Sequence, residues 1–270
     1  MKKFLYIFIF FFSYSALAFK IGVLVVATGK YIEFVPNLVS QGKQYFLPNH
    51  EVTYFIFTDM LIKPEPSMII CHQEQLTWPY STMLRYETYL RYKHLYKEYD
   101  YLFILDADMQ ICEVIDETLL SKLTGVLHPG FASPKIFLLN KDNASPLIYE
   151  EKYWKLLSQN YTHETRREST AFLPNGKFYF CGGVFGGEKN TILNLLETLS
   201  TNIRIDMANG IIALWHDESH LNWYFNTQYV PEKILTPLYC YPDVYYKGIS
   251  DLPNPKIIAI TKNHALYQTN

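Results

Sequence analysis

The sequence predicts an α/β fold, a mostly parallel sheet flanked by helices, and three observations carry that prediction. Lys20 to Thr28 (KIGVLVVAT), Glu51 to Thr58 (EVTYFIFT) and Tyr101 to Leu105 (YLFIL) are apolar runs of strand length. Segments with helical character separate them, and the third run leads straight into Asp106-Ala107-Asp108. Strand, helix, strand, helix, strand in that order favours parallel pairing through right-handed crossovers. Open sheets of this kind bind ligands beyond their C-terminal strand ends, where Thr28 and Asp106 fall.

Taken in order, the chain opens on a targeting segment over residues 1–18. Met1-Lys2-Lys3 is a positive head, Phe4 to Phe12 an apolar run, and Ala16-Leu17-Ala18 a small-residue pattern of the kind that precedes cleavage. The run is shorter than the ~20 residues of a spanning helix. It reads as a signal peptide or an anchor, so the chain is expected to be membrane-associated or exported, with possible membrane association through its N-terminus. Residues 19–270 form the remaining domain. The first strand, uncharged after Lys20, suits a position buried on both faces. A helix is predicted over Tyr31 to Phe46, and the second strand follows. Ile62 to Trp78, with Pro64, Pro66 and Pro79 in or beside it, reads as loop or short irregular strand. Thr82 to Tyr99 is predicted helical, because Met83, Tyr86, Tyr89, Tyr92, Tyr96 and Tyr99 recur every three or four residues. Beyond Gly130 the pattern is mixed, and no linker or repeat divides the remainder.

A chain of 270 residues, about half of them apolar, supports one sizeable core. The net charge of -2 leaves no basic footprint for nucleic acid. The 23 Tyr, 18 Phe and 4 Trp suit sugar C–H faces but fill ordinary cores equally well. Cys71, Cys112, Cys181 and Cys240 are too scattered for a disulfide framework or a CxxC site, and read as reduced or singly buried thiols.

Three motifs carry chemistry. Asp106-Ala107-Asp108 places two carboxylates at a strand tip, on one side if the chain stays extended. Two hard oxygen donors suit Mn²⁺ or Mg²⁺ together with phosphate oxygens; the plainer reading is a solvated acidic turn. His216-Asp217-Glu218-Ser219-His220 follows Trp215. Its histidines have helical spacing for zinc, yet the motif is not H-E-x-x-H. The acids suit a helix N-terminus, and one of them could serve a sugar C1. Cys181-Gly182-Gly183-Val184-Phe185-Gly186-Gly187 matches no phosphate-loop pattern and reads as a close-approach wall or a structural turn.

Together these stretches resemble glycosyltransferase family 6. The resemblance rests on Val26 to Tyr31 (VATGKY), Tyr54 to Asp59 (YFIFTD), Thr82 to Glu87 (TMLRYE), Tyr99 to Met109 (YDYLFILDADM) and Leu127 to Phe131 (LHPGF). Phe178 to Gly187, Ala208 to Asn222 (ANGIIALWHDESHLN) and Lys262-Asn263-His264 complete it. It implies a GT-A-like single domain with a mostly parallel Rossmann-like sheet. It also implies retaining α-1,3 transfer of GalNAc or Gal from UDP-GalNAc or UDP-Gal to an oligosaccharide acceptor with terminal galactose. By matching position, Val26, Ala27, Thr28 and Tyr31 would cradle the nucleoside. Arg85 and Lys262 would meet donor sugar and diphosphate, and Asp106, Ala107 and Asp108 would line the donor site, with Asp106 and Asp108 on the metal. Cys181, Gly182 and Gly183 would border the donor sugar, and the bare Gly183 leans towards GalNAc. His128, Thr162 and Trp215 would contact the acceptor. Asp217 would hold sugar hydroxyls, and Glu218, also beside the acceptor, would be nucleophile or charge stabiliser.

The chain departs from the family in a long Ser133 to Asn160 segment and in Gln268 where a basic residue can stand. It keeps both aspartates, which implies metal dependence. Two other readings stay open at this stage: a metal-dependent hydrolase using His216, His220 and the aspartates, and a non-catalytic carbohydrate-binding protein.

Overall fold

A computed structural model describes residues 18–130, 163–243 and 254–267. Most of the targeting segment, Thr162, the Ser133 to Asn160 segment and Gln268 lie outside the described residues. Among the described residues no helix is long and apolar enough to cross a membrane.

One seven-stranded sheet organises the molecule, in the order β3-β2-β1-β4-β7-β6-β8. The strands are β1 (Lys20–Val26), β2 (Glu51–Thr58), β3 (Met68–His72), β4 (Tyr101–Leu105), β6 (Leu123–Leu127), β7 (Phe180–Glu188) and β8 (Lys233–Leu235). Strands β3, β2, β1 and β4 are mutually parallel, with Leu24 opposite both Phe55 and Ile104. That central place explains the unbroken apolar run of β1, which is covered on both faces. The far half departs from the parallel expectation: β7 runs antiparallel to both β4 and β6, so the sheet is mixed. A small second sheet joins β5 (Met109–Ile111), β9 (Tyr241–Pro242) and β10 (Ile257–Ala259), and ties the C-terminal segment to the end of the aspartate turn.

Three sequence expectations need correction. The Ile62 to Trp78 segment holds a regular strand, β3, whose prolines lie before it on the sheet edge, where they cost no ladder bond. The long helix over Thr82 to Tyr99 is three pieces: α2 (Tyr80–Met83), α3 (Arg85–Arg91) and a 3-10 turn over Lys93–Tyr96. Leu84 (φ -92°, ψ 7°) breaks the first junction. The aromatic face survives, with Tyr86, Tyr89 and Tyr96 fully buried. Likewise the helix from Tyr31 begins as a 3-10 turn over Gly29–Phe34 before α1 (Val35–Tyr45).

Helix α4 (Lys189–Ala208) lays Ile192, Leu195, Leu196, Leu199 and Ile203 on the core, a spacing of three and four residues. Helix α5 (His216–Thr227) follows, and a short α6 (His264–Tyr267) closes the described chain.

Candidate active site

A cleft of about 210 Å³ opens beyond the C-terminal ends of β1 and β4. Val26, Thr28 and Tyr31 line one end, Asp106, Ala107 and Asp108 the floor, and Gly182, Gly183, Asp217 and Glu218 the far wall. Lys262 and Tyr267 reach over it from the C-terminal segment.

The aspartates share the cleft by a different route from the extended strand that alternation assumed. The chain turns at Ala107 and Asp108, with Met109 N–H donating back to the Asp106 carbonyl at 3.3 Å. Asp106 N–H bonds the Gly183 carbonyl at 2.9 Å, so the turn is fixed to β7.

Arg85 is the hub. The break at Leu84 turns it into the cleft, where Nη1 donates to Asp106 Oδ1 at 2.9 Å and Nη2 to the Gly182 carbonyl at 2.8 Å. Nη2 also pairs with Asp217 Oδ2 at 2.5 Å. Burial alone would push the guanidinium down, but the Asp217 and Asp106 carboxylates outweigh it and hold it well above its ordinary value. A planar fork serves three partners in a way an ammonium cannot. Lys262 pairs with Asp108 and lies over the Tyr31 ring, 5.2 Å from its centroid. Tyr267 packs on Tyr31 at 5.3 Å and on Phe34 at 5.4 Å, which holds α6 across the Tyr31 end of the cleft.

Glu218 is placed by a ladder of side-chain to backbone bonds. Its Oε2 accepts Gly182 N–H at 2.7 Å. One helical turn on, Asn222 exchanges bonds with Phe180 N–H (2.8 Å) and C=O (2.9 Å). One turn further, Asn226 does the same with Phe178 N–H and C=O, both at 3.1 Å. Four helical residues rise about 6 Å and two strand residues about 6.6 Å, so the two periods stay in step. The protein around Glu218 pushes its carboxyl up to about 7, opposed by the Gly182 N–H and the Tyr179 hydroxyl. Loss of solvation also raises Asp217 to about 6, against the pull of Arg85, and Asp106 to about 6, again against Arg85.

His216 and His220 do not converge. His216 (φ +50°) packs against the edge of Trp78 at 4.7 Å. His220 is fully buried, 3.7 Å from Asp206, and burial pushes it down to about 4. Among the described residues no group of three or more His, Cys, Asp or Glu side chains could hold a metal. Among the described residues His216 and His220 therefore share no zinc site. Asp106 and Asp108 supply two hard oxygens facing one open cleft, which fits a divalent ion that takes its other ligands from phosphate and water.

Ala27, Cys181, His128 and Trp215 do not line the cleft. Ala27 is buried, its N–H on the Phe57 carbonyl at 2.8 Å. The Cys181 thiol lies against that of Cys240, so two of the cysteines form a buried pair that their separation in sequence hid. His128 stands behind Tyr179, ring to ring at 5.6 Å, and Trp215 sits half-exposed just before α5. Sequence reasoning missed Gln75, Leu76, Trp78 and Tyr267 as lining residues. They come from loop and tail with no motif of their own.

The family model described as "Glycosyltransferase family 6" matches residues 8–269. Histo-blood group ABO system transferase 1 of Rattus norvegicus is 30% identical over 256 residues, covering 90% of this chain and 67% of that protein. Globoside alpha-1,3-N-acetylgalactosaminyltransferase 1 of Homo sapiens is 31% identical over 242 residues, covering 85% and 63%. The chain thus spans about two thirds of the length of these vertebrate relatives. The O-antigen biosynthesis glycosyltransferase WbnI of Escherichia coli is 26% identical over 232 residues, covering 83% and 89%.

Proposed function

The chain belongs to glycosyltransferase family 6, and from that premise we propose that it is a retaining α-1,3-glycosyltransferase moving GalNAc or Gal from a UDP-sugar to a β-galactoside acceptor. One observation carries the reading: Glu218 faces Asp106 and Asp108 across a single cleft, with Arg85 bonded to both walls. The relative named as globoside alpha-1,3-N-acetylgalactosaminyltransferase 1 supports the linkage and the sugar class.

On this reading the nucleoside lies along Val26, Thr28 and Tyr31, and Arg85 and Lys262 face the diphosphate. Cations there stabilise the charge that grows on UDP as it leaves. Asp106 and Asp108 would hold a Mn²⁺ or Mg²⁺ ion, which when bound neutralises phosphate oxygens. Glu218, fixed by the Gly182 N–H, serves C1 of the sugar as nucleophile or as stabiliser of an oxocarbenium-like transition state. It must be ionised to do either, and its raised carboxyl then sets the acid limb of activity. Gly183 packs closely on its neighbours: a Cβ there would lie 2.6 Å from Met109 Cε and 3.0 Å from Asp106 Oδ2. The preference proposed for UDP-GalNAc rests on the missing side chain at this lining position. Trp215 and His128 belong to the acceptor side.

A donor-by-acceptor turnover screen with and without Mn²⁺ tests the proposal. Transfer to β-galactosides that needs the ion is expected; sugar binding without turnover under every condition would favour a non-catalytic carbohydrate-binding protein. The N-terminal segment is proposed to bring the chain to or across a membrane, which fractionation of the full-length protein checks.

A further inference from the structure

We propose that Glu164 is a positioning residue for the acceptor side of the cleft, acting by holding the turn over residues 211–215 that presents Trp215. The proposal rests on the glycosyltransferase reading above, in which Trp215 meets the acceptor sugar. The side chain of Glu164 is 2% exposed, an expensive place for a carboxylate unless its bonds are complete. They are. Arg166 grips it through three donors: N to Oε1 at 2.8 Å, Nε to Oε1 at 2.9 Å and Nη2 to Oε2 at 2.6 Å. Oε2 then accepts the N–H of Leu214, the residue before Trp215, at 2.8 Å. Arg166 Nη2 reaches on to the Ile212 carbonyl. One ion pair therefore serves a donor and an acceptor of a turn that lies outside helix and strand and has no ladder partners of its own.

Two further ties make the arrangement a clasp. Asp206, fully buried near the end of α4, accepts Ser169 Oγ at 2.6 Å and Thr170 N–H at 2.8 Å, while its own carbonyl takes Ile211 N–H at 2.8 Å. The segment carrying Glu164 closes on itself through Leu173 N–H to the Glu164 carbonyl at 2.7 Å. At the other end of the turn, Trp215 N–H bonds Ser219 Oγ at 2.9 Å. The Trp215 residue itself is 46% exposed, so the backbone fixed at Leu214 and Trp215 sets where its indole projects. None of these bonds involves a residue lining the donor end of the cleft. The turn also meets the start of α5, where the Trp215 carbonyl takes the Glu218 N–H at 3.0 Å, so loosening the clasp should act mainly on the acceptor and much less on the donor.

The test uses the full chain with Glu164→Gln, which keeps the shape and an acceptor oxygen but removes the ion pair. With lactose as the β-galactoside probe and UDP-GalNAc as donor, KM for lactose is expected to rise roughly ten-fold, because the amide nitrogen faces two N–H donors that a carboxylate oxygen accepted. KM for UDP-GalNAc, and its slow hydrolysis without acceptor, should stay within about two-fold. Arg166→Gln should move the lactose KM the same way by less. A folded Glu164→Gln with unchanged lactose KM, or with donor and acceptor constants rising together, overturns the positioning role. If Glu164→Gln does not fold, the same split must appear in Arg166→Gln, and its absence there is equally decisive. A wild-type chain that transfers to no acceptor would overturn the glycosyltransferase reading itself; wild-type transfer with an unsplit variant overturns only the role of Glu164.

Discussion

Replacing Glu218 by Gln should weaken the catalyst and strengthen the fold, and the size of the second effect follows from its surroundings. Burial raises the carboxyl from 4.5 to about 7. A gap of that size is worth at most about 3.4 kcal/mol, and a carboxylate bordering an open cleft retains some solvation, which reduces the figure to about 1–2 kcal/mol. The direction follows from linkage. An acid whose folded value is raised favours folding below its ordinary value, and that contribution is lost as pH rises through about 7. At pH 8 the wild-type chain carries an ionised group that its surroundings disfavour, and Gln removes the charge while still accepting the Gly182 N–H. The variant should therefore melt roughly 2–4 °C higher at pH 8. The two proteins should converge near pH 4.5, where Glu218 is neutral in the fold. Turnover should fall by ~10²-fold or more. Thermal melts at the two pH values, paired with UDP release in the presence of acceptor, measure both. A variant that melts below wild type at pH 8, or that turns over at the wild-type rate, would refute the reasoning.

Asp108→Asn should abolish the stimulation of turnover by Mn²⁺, and UDP binding followed by calorimetry should no longer respond to the ion. Gly183→Ala puts a methyl against Met109 Cε and Asp106 Oδ2, so donor competition should shift towards UDP-Gal by roughly ten-fold, a methyl-sized effect of about 1–2 kcal/mol. Arg85→Lys cannot serve Asp106, Asp217 and the Gly182 carbonyl together; denaturant unfolding should report a loss of roughly 2–4 kcal/mol.

Strands β1, β2 and β4 were legible because their buried stretches read as largely apolar runs, whereas β6 and β7, equally buried, were hidden by Thr124, Gly125 and the glycines between 182 and 187. Strand β3 was not legible either: an edge strand with half-buried residues and prolines nearby carries a weaker pattern. Tyr86 and Tyr89 announced a helical face, but nothing in the run announced the break at Leu84 that turns Arg85 inward. The cleft residues were legible as separate short motifs. Their pairing was not, since Lys262 meets Asp108 across 154 residues and Arg85 meets Asp217 from another element. Glu164 and Asp206 escaped notice altogether, because a lone acid in a polar stretch looks like surface until its partners are known.

The ladder linking Glu218, Asn222 and Asn226 to residues 182, 180 and 178 is made entirely of bonds to main-chain N–H and C=O groups on the strand side. Such groups are the same whatever side chain the strand carries. Side chains of the strand that do not touch the acid can therefore vary, which on the proposed reading would retune the sugar that fits, while Glu218 keeps its place. A scaffold that separates where the chemistry happens from what it is done to can diversify one without relearning the other.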